Sequence, residues 1–137
     1  MSRSVACIIF DGKKVLIAHR NPVGDMGNRW EFPGGKIDGE ESPSQAIVRE
    51  MMEEFSVKAQ VGEKITENTF VHKNKECSLE AYLVTLEHDG IAKPFVLTEH
   101  TEYKWVFPEE IKDLSFVDSD LKIYPAVLEF LKNKEAK

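Results

Sequence analysis

The sequence predicts an α/β protein in which a mixed β-sheet lies between helices. Runs rich in apolar and β-branched residues occur before, between and after two helical patterns, an order typical of a sheet covered by helices. The chain has 137 residues, 42% of them hydrophobic, which is enough for one buried core but not for two. We therefore expect residues 1–137 to form one domain.

The N-terminal part predicts a hairpin and a short third strand. The apolar runs Ser4–Phe10 and Lys14–Ala18 flank Asp11-Gly12, a dipeptide typical of tight turns. Asn21–Asn28 is a polar loop with glycines, long enough to form the wall of a pocket. Trp30–Pro33 predicts a short strand that leads into a pair of glycines.

A helix is predicted to start at Ser42. This residue suits the N-cap, Pro43 suits the first helical position, and Gln45 stands where a capping box has its second member. At about 100° per residue, four apolar side chains share one face of the helix. They are Ile47, Val48, Met51 and Phe55.

The second half of the chain predicts further strands and two more helices. The strands are Val57–Val61, Thr66–His72, Cys77–Leu86 and Tyr103–Phe107, with a connection at Lys73–Glu76 and a turn at His88–Lys93. A short helix begins at Pro108, and a last one, capped by Ser119, runs to about Lys132. Pro125 falls inside the last pattern, so that helix is expected to begin late or to kink.

Three carboxylates on the first long helix indicate a cation site. Glu50, Glu53 and Glu54 have the i, i+3, i+4 spacing that places side chains on one face. Like charges at this spacing destabilise a helix by roughly 0.2–0.5 kcal/mol per pair, and a helix C-terminus disfavours negative charge. The rest of the helix follows local rules, so we expect a positive partner for this face. Because every offered ligand is an oxygen, the natural partner is a hard divalent cation.

The same residues belong to a longer pattern. Gly35, Glu41, Arg49-Glu50-Met51-Met52-Glu53-Glu54 and Val57 have the spacing G-x5-E-x7-R-E-U-x-E-E-x-G-U, where U is apolar, so the chain resembles the Nudix hydrolases. One position departs from this signature, since Ser56 replaces the second glycine. A residue at the end of a helix commonly adopts the left-handed conformation, which costs a serine about 1–2 kcal/mol. The departure removes no metal ligand.

The resemblance implies an α/β/α sandwich and a site that uses Mg²⁺, with Mn²⁺ as an alternative. It implies that the metal ligands are the carbonyl of Gly34 and the side chains of Glu50, Glu53, Glu54 and Glu99. Glu99 is assigned by analogy with MutT-like members, in which a glutamate before the late strand contacts the metal or the attacking water. Its spacing from Trp105 favours it over Glu102. The resemblance also implies that Arg49 orients the catalytic glutamates and that Glu41 is the ion-pair partner of Arg49.

The stretch Trp30-Glu31-Phe32-Pro33-Gly34-Gly35 resembles the MutT-like subgroup in particular. That resemblance implies that Arg20 and Lys36 contact substrate phosphates and that Asp120, at the head of the last helix, reads the edge of the base. MutT-like enzymes that prefer oxidised guanine have asparagine at this place, whereas members that act on cytidine triphosphate have aspartate. An ionised carboxylate only accepts hydrogen bonds, so it suits the exocyclic amino group of cytosine or adenine. Asp118, two residues earlier, is a rival for this role.

The expected activity is Mg²⁺-dependent hydrolysis of a nucleoside triphosphate to the monophosphate and pyrophosphate. Two alternatives stay open. In the first, the substrate is another nucleoside diphosphate derivative, such as ADP-ribose or a dinucleoside polyphosphate. In the second, the chain is a non-catalytic sensor or binding module with a Nudix fold. Intact Glu50, Glu53 and Glu54 weigh against a pure binding module.

The overall composition limits the classes of molecule that we expect this chain to bind. A net charge of -6 argues against a nucleic-acid polymer as the main binding partner. A small nucleotide that carries its own cation is compatible with this negative charge. No apolar run is long enough for a membrane span, and the N-terminus does not suggest a signal peptide. Together with Cys7 and Cys77, which we expect to be buried free thiols, this predicts a cytoplasmic protein. The sequence leaves open whether it is a monomer or a homodimer.

Overall fold

We describe the protein from a computed structural model, which defines residues 2–20, 28–87 and 100–135. The strands are β1 Ser2–Ile8, β2 Val15–Arg20, β3 Trp30–Glu31, β4 Gly34–Lys36, β5 Lys58–His72, β6 Lys75–Glu87 and β7 His100–Val106. The helices are α1 Pro43–Phe55, a short 3₁₀ helix Pro108–Asp113 and α2 Asp118–Glu135. The predicted turn at His88–Lys93 and most of the predicted loop 21–28 lie outside the described residues.

The strands form two sheets that share one layer between the helices. One sheet has the order β4-β1-β6-β5 and the other has the order β3-β2-β7. Strand β1 runs parallel to β6 and antiparallel to β4, so the larger sheet is mixed. Successive residues of β1 face opposite cores: Ala6 packs in the cluster that contains Ile123 of α2, and Cys7 packs in the cluster that contains Met51 of α1. The predicted α/β class with a sheet between helices is therefore confirmed.

The start of α1 follows its sequence signals. The hydroxyl of Ser42 accepts a hydrogen bond from the Gln45 backbone at 3.1 Å, and the Gln45 side chain accepts one from the Ser42 backbone at 2.9 Å. Pro43 occupies the first turn. The predicted apolar face is right for Ile47 but wrong for Val48, which is 44% exposed. Val48 lies about 100° around the helix from Ile47, which turns it away from the sheet.

Ser56 ends α1 in the left-handed conformation, with φ 57° and ψ 37°. Its backbone N–H donates to the carbonyl of Met52 at 3.0 Å, which is the hydrogen bond that closes the last turn. Ser56 therefore has the left-handed backbone expected at the signature's glycine position, with the strain that this conformation causes in a serine. The chain leaves α1 in the same direction as a glycine at this position would allow.

Three predicted elements differ from those observed. The Asp11-Gly12 turn forms, but β1 and β2 then separate into different sheets, and their pairing is limited to one bridge between Phe10 and Val15. The two strands predicted within residues 57–72 are one strand, β5, with register shifts between Val61 and Thr66. Helix α2 begins at Asp118 and continues through Pro125, although proline donates no backbone hydrogen bond.

Cys7 is buried and Cys77 is partly exposed, and both are free thiols. Within the described ranges, no helix has the length and hydropathy needed to cross a membrane.

Candidate active site

Arg49 holds the acidic residues of α1 and of the preceding loop together. Its guanidinium donates to both carboxylate oxygens of Glu41, at 2.8 and 2.9 Å. It also donates to Glu50 at 2.9 Å, to Glu53 at 3.3 Å and to the backbone carbonyl of Lys36 at 2.9 Å. An arginine side chain has five N–H donors, so these contacts engage all of them. Arg49 thus fixes the position of two predicted metal ligands relative to β4.

Glu41 is the strongest partner of Arg49. The hydrogen bond from Arg49, followed by one from the Asp38 backbone, lowers the pKa of Glu41 to about 2. The same contact raises the pKa of Arg49 above its already high value. Because Glu41 precedes α1 and Arg49 lies in its second turn, the paired charges fasten the loop to the helix.

Glu50 and Glu54 lie between α1 and the sheet. The Glu54 residue is 3% exposed, and the Glu50 side chain is 12% exposed. Burial raises the pKa of Glu50, and a hydrogen bond links its side chain with that of Glu54. Cys7 lies close to both: burial first, and then the charges of Glu54 and Glu50, raise the pKa of its thiol. These two carboxylates therefore belong to a partly dry site above β1.

The glycine pair of β4 completes this site from below. A Cβ on Gly35 would lie 2.5 and 2.6 Å from the two carboxylate oxygens of Glu50. Gly34 has a φ of +149°, and a Cβ there would collide with the carbonyl of Val5. Only glycine permits this backbone to lie so close to an acidic side chain. The predicted ligand Gly34 is therefore brought beside the predicted ligands on α1.

Glu53 differs from its two neighbours, because its side chain is 58% exposed. No set of three His, Cys, Asp or Glu side chains is preassembled as a metal centre in the described part of the chain. Magnesium usually takes one or two carboxylates and completes its shell with water and substrate phosphates. The ligands offered here are all oxygens: Glu54 is buried, Glu50 is largely buried, Glu53 is exposed, and the glycine backbone lies against Glu50. This set fits that mode of binding.

A second acidic group lies at the head of α2. Asp120 is 6% exposed, and its carboxyl accepts a hydrogen bond from the Phe32 backbone at 2.8 Å. Burial, followed by the charge of Glu31, raises the pKa of Asp120 to about 8, against the opposing effects of Phe32 and Arg20. Burial and the charge of Glu31 both favour the protonated form of this carboxyl, whereas the expected role of Asp120 assumed the ionised form.

The rival residue Asp118 lies elsewhere. Its side chain is 65% exposed and pairs with Arg29 at 3.0 Å. Asp120 is thus the acid that faces the sheet, and Asp118 is the one that faces solvent.

Arg20 lies beside Asp120. Its Nη1 atom contacts the carboxylate of Glu31 at 3.1 Å. Its charge is also among those that act on Asp120. The structure therefore brings Arg20 to the second acidic group, where it pairs with a residue that the sequence analysis did not single out. Glu31 carried one signal, an acid between Trp30 and Phe32 in a short apolar strand.

The remaining predicted residues are placed as follows. Lys36 follows the glycine pair on β4, with its side chain exposed and its carbonyl bound to Arg49. Glu99 lies outside the described residues. Its alternative, Glu102, is exposed on β7, in register with His19 of β2.

One stretch of chain joins the two acidic groups. The backbone of Phe32 contacts Asp120, the carbonyl of Pro33 accepts a hydrogen bond from Cys7 at 2.7 Å, and Gly35 then lies against Glu50. Three residues of extended chain span roughly 10 Å. The backbone contacts of the two groups therefore lie no more than about that far apart.

Known proteins resemble this chain over most of its length. A family model described as the NUDIX domain matches residues 1–127. A CTP pyrophosphohydrolase of Escherichia coli is 32% identical over 128 residues, which cover 93% of this chain and 92% of the relative. A putative 8-oxo-dGTP diphosphatase 2 of Mycobacterium tuberculosis is 30% identical over 119 residues, which cover 85% and 80%. The solution structure of the E. coli ORF135 protein superposes with a TM-score of 0.82 at 28% identity, covering 100% of this chain and 95% of that one.

Proposed function

This chain belongs to the NUDIX family of hydrolases, and we propose that it cleaves a nucleoside triphosphate into the monophosphate and pyrophosphate. The acidic cluster of α1, with Arg49 at its centre, is the proposed hydrolytic site. The group around Asp120 is the proposed base site. The proposal takes its substrate class from two relatives, whose names specify CTP and 8-oxo-dGTP.

One observation carries the proposal. The stretch from Phe32 to Gly35 contacts the buried carboxyl of Asp120 at one end and the carboxylate of Glu50 at the other. A nucleotide bound along this stretch has its base at Asp120 and its phosphates at the glycines. This arrangement favours a substrate in which the cleaved phosphoanhydride bond lies close to the nucleoside that carries the base.

The side chains of this protein have distinct proposed tasks. Arg49 holds Glu50 and Glu53 in position, and Glu41 in turn holds Arg49. Arg20, the other phosphate contact that the resemblance implies, lies at the proposed base site beside Glu31 and Asp120. Lys36, next to Gly35, is therefore the residue whose ammonium meets a substrate phosphate. Positive charge placed there stabilises the negative charge that accumulates on the phosphates during cleavage.

We propose Mg²⁺ as the cofactor, held by the Gly34 carbonyl, Glu50, Glu53 and Glu54, with Glu99 as a further ligand; Mn²⁺ is an alternative. When bound, such an ion adds positive charge near the phosphates and makes a nearby water more acidic. A glutamate of the cluster accepts the proton of the attacking water. The water oxygen forms a bond to the β-phosphorus, and the bond from that phosphorus to the bridging oxygen breaks, so the electron pair leaves with the monophosphate.

A substrate panel tests this proposal. The wild-type protein is incubated with Mg²⁺ and one of the four ribonucleoside triphosphates, 8-oxo-dGTP, ADP-ribose or a dinucleoside tetraphosphate. Turnover is followed as phosphate release after addition of pyrophosphatase or phosphatase. We expect at least one triphosphate to have the highest kcat/KM and to yield pyrophosphate. A higher kcat/KM for ADP-ribose or the dinucleotide would replace the proposed substrate class, and specific binding without turnover would support a non-catalytic module.

Labelled water identifies the phosphorus that is attacked. Hydrolysis in water enriched in oxygen-18 should place the label in pyrophosphate, as attack on the β-phosphorus requires. Label in the monophosphate would show attack on the α-phosphorus instead.

A further inference from the structure

The indole N–H of Trp105 is a buried donor that the proposed mechanism does not use. Trp105 lies on β7, opposite Leu16 of β2, and its ring packs against the core cluster on the α1 side of the sheet layer. Its Nε1 atom is buried and has no hydrogen-bond acceptor among residues 2–20, 28–87 and 100–135. A buried indole usually finds an acceptor, and a donor left without one destabilises the folded protein. The position of this donor therefore indicates a role beyond packing.

Glu54 offers a matching acceptor on the same side of the layer. It is 3% exposed, and its neighbours Met51 and Phe55 belong to the cluster against which Trp105 packs. An indole N–H only donates hydrogen bonds, and an ionised carboxylate only accepts them. The two groups are therefore chemically complementary, and a hydrogen bond to a charged group is stronger than one between neutral groups.

The sheet places the two residues within reach of each other. The charge of Glu54 acts on the thiol of Cys7, so its carboxylate lies close to that residue of β1. Two residues further along, the carbonyl of Ile9 accepts a hydrogen bond from the Leu16 backbone at 3.0 Å, and Leu16 is opposite Trp105. Two strand spacings and two residues of rise thus separate Cys7 from Trp105, roughly 12 Å between Cα atoms. A glutamate and a tryptophan side chain on one face cover this distance, directly or with one bridging water.

The arginine of the site has other partners. Arg49 directs its five N–H donors to oxygens of Glu41, Glu50, Glu53 and the Lys36 backbone. A hydrogen bond that orients the Glu54 carboxylate therefore has to come from another donor. The indole N–H of Trp105 is uncharged, so it can orient a carboxylate and leave its negative charge available to a cation.

We propose that Trp105 is a positioning residue of the hydrolytic site, whose indole N–H donates a hydrogen bond to the carboxylate of Glu54, directly or through one buried water. This bond fixes the orientation in which Glu54 meets a cation or the attacking water. The inference rests on the proposed function, because it assumes that Glu54 takes part in hydrolysis. Loss of a group that orients a metal ligand typically lowers activity by about 10- to 100-fold.

NMR of the indole group tests the hydrogen bond without substrate or metal. The chain has two tryptophans, so a protein with nitrogen-15 in its indole rings gives two indole signals, and Trp30→Phe assigns them. Glu54→Gln removes the charge of the proposed acceptor, so it should shift the Trp105 signal and speed exchange of its proton with solvent. Glu53→Gln is the matched control, because Glu53 lies in the same acidic cluster but is 58% exposed, and it should leave the Trp105 signal in place.

An isosteric replacement tests the effect on turnover. Site-specific incorporation of 3-benzothienylalanine at residue 105 puts sulfur in place of the N–H and keeps the size of the ring. For the best triphosphate substrate, kcat should fall by about 10- to 100-fold with little change in KM, because the nucleotide itself does not contact the indole. The same replacement at Trp30 is the control and should leave kcat unchanged, since that ring packs on the α2 side of the layer.

The outcomes separate this inference from the proposed function. A Trp105 signal that stays in place in Glu54→Gln, or that moves equally in Glu53→Gln, would overturn the hydrogen bond while triphosphate hydrolysis stands. A normal kcat for the residue 105 analogue would overturn the positioning role in the same way. Failure of the wild-type protein to hydrolyse any triphosphate would overturn the proposed function and, with it, the role of Trp105 in hydrolysis.

Discussion

Replacing Asp120 by asparagine should change how the stability of the protein depends on pH. Burial, and then the charge of Glu31, raise the pKa of Asp120 to about 8 in the folded protein. In an unfolded chain the pKa of an aspartate is about 3.9. Between these values the folded protein holds a proton that the unfolded chain has released. The free energy of unfolding therefore falls as the pH rises through this window.

The size of the effect follows from one proton. A difference of one bound proton gives a slope of about 1.4 kcal/mol per pH unit. From about pH 5 to about pH 7, the wild-type protein should lose up to about 3 kcal/mol of unfolding free energy through Asp120. The loss ends near pH 8, where the folded side chain ionises as well. Asparagine has no proton to release, so Asp120→Asn should lack this contribution.

Urea unfolding at a series of pH values measures the effect. The free energy of unfolding is determined for the wild type, for Asp120→Asn and for Asp118→Asn. We expect the curve of Asp118→Asn to parallel that of the wild type, because Asp118 is 65% exposed. We expect the curve of Asp120→Asn to be flatter between about pH 5 and about pH 7. If all three curves have the same slope, the buried carboxyl does not keep its proton and our description of the base site is wrong.

Three further predictions concern other parts of the molecule. Gly35→Ala should lower kcat by about 100-fold, because its Cβ would displace the Glu50 carboxylate that lies 2.5 to 2.6 Å from its position; a kcat within about twofold of the wild type would contradict this. Ser56→Gly should raise the free energy of unfolding by about 1 kcal/mol with little change in kcat, because Ser56 has a left-handed backbone; denaturant unfolding measures it, and a less stable variant would argue against strain at this residue. Activity should disappear with EDTA, return with Mg²⁺ or Mn²⁺, and rise on the alkaline side as the attacking water loses its proton more readily; full activity after exhaustive chelation would exclude the metal assignment.

The elements that the sequence predicted well have local causes. The capping box of Ser42 and Gln45 needs residues three apart, and both of its hydrogen bonds form. The left-handed conformation of Ser56 follows from its place after the last helical turn. The contact between Arg49 and Glu41 joins side chains eight residues apart and is the ion pair that the resemblance implies.

The parts that could not be predicted depend on distant contacts. Phe32 and Asp120 are 88 residues apart in the chain, and their hydrogen bond exists only because the fold brings the start of α2 to the residue after β3. That burial sets the protonation of Asp120, which sequence spacing alone does not determine. The position of Glu31 beside Asp120 depends on the same packing. For a similar reason, the apolar run at β1 did not reveal that β1 and β2 belong to different sheets.

The products and rates of CTP hydrolysis test the central claim most directly. Phosphorus NMR with the wild-type protein and Mg²⁺ should show CMP and pyrophosphate in equal amounts. Glu53→Gln and Glu54→Gln should lower the rate by about 10²–10⁴-fold while keeping the circular dichroism spectrum of the folded protein. Formation of CDP and phosphate, or near-normal rates in both variants, would contradict the assignment of this acidic cluster as a nucleoside triphosphate pyrophosphohydrolase site.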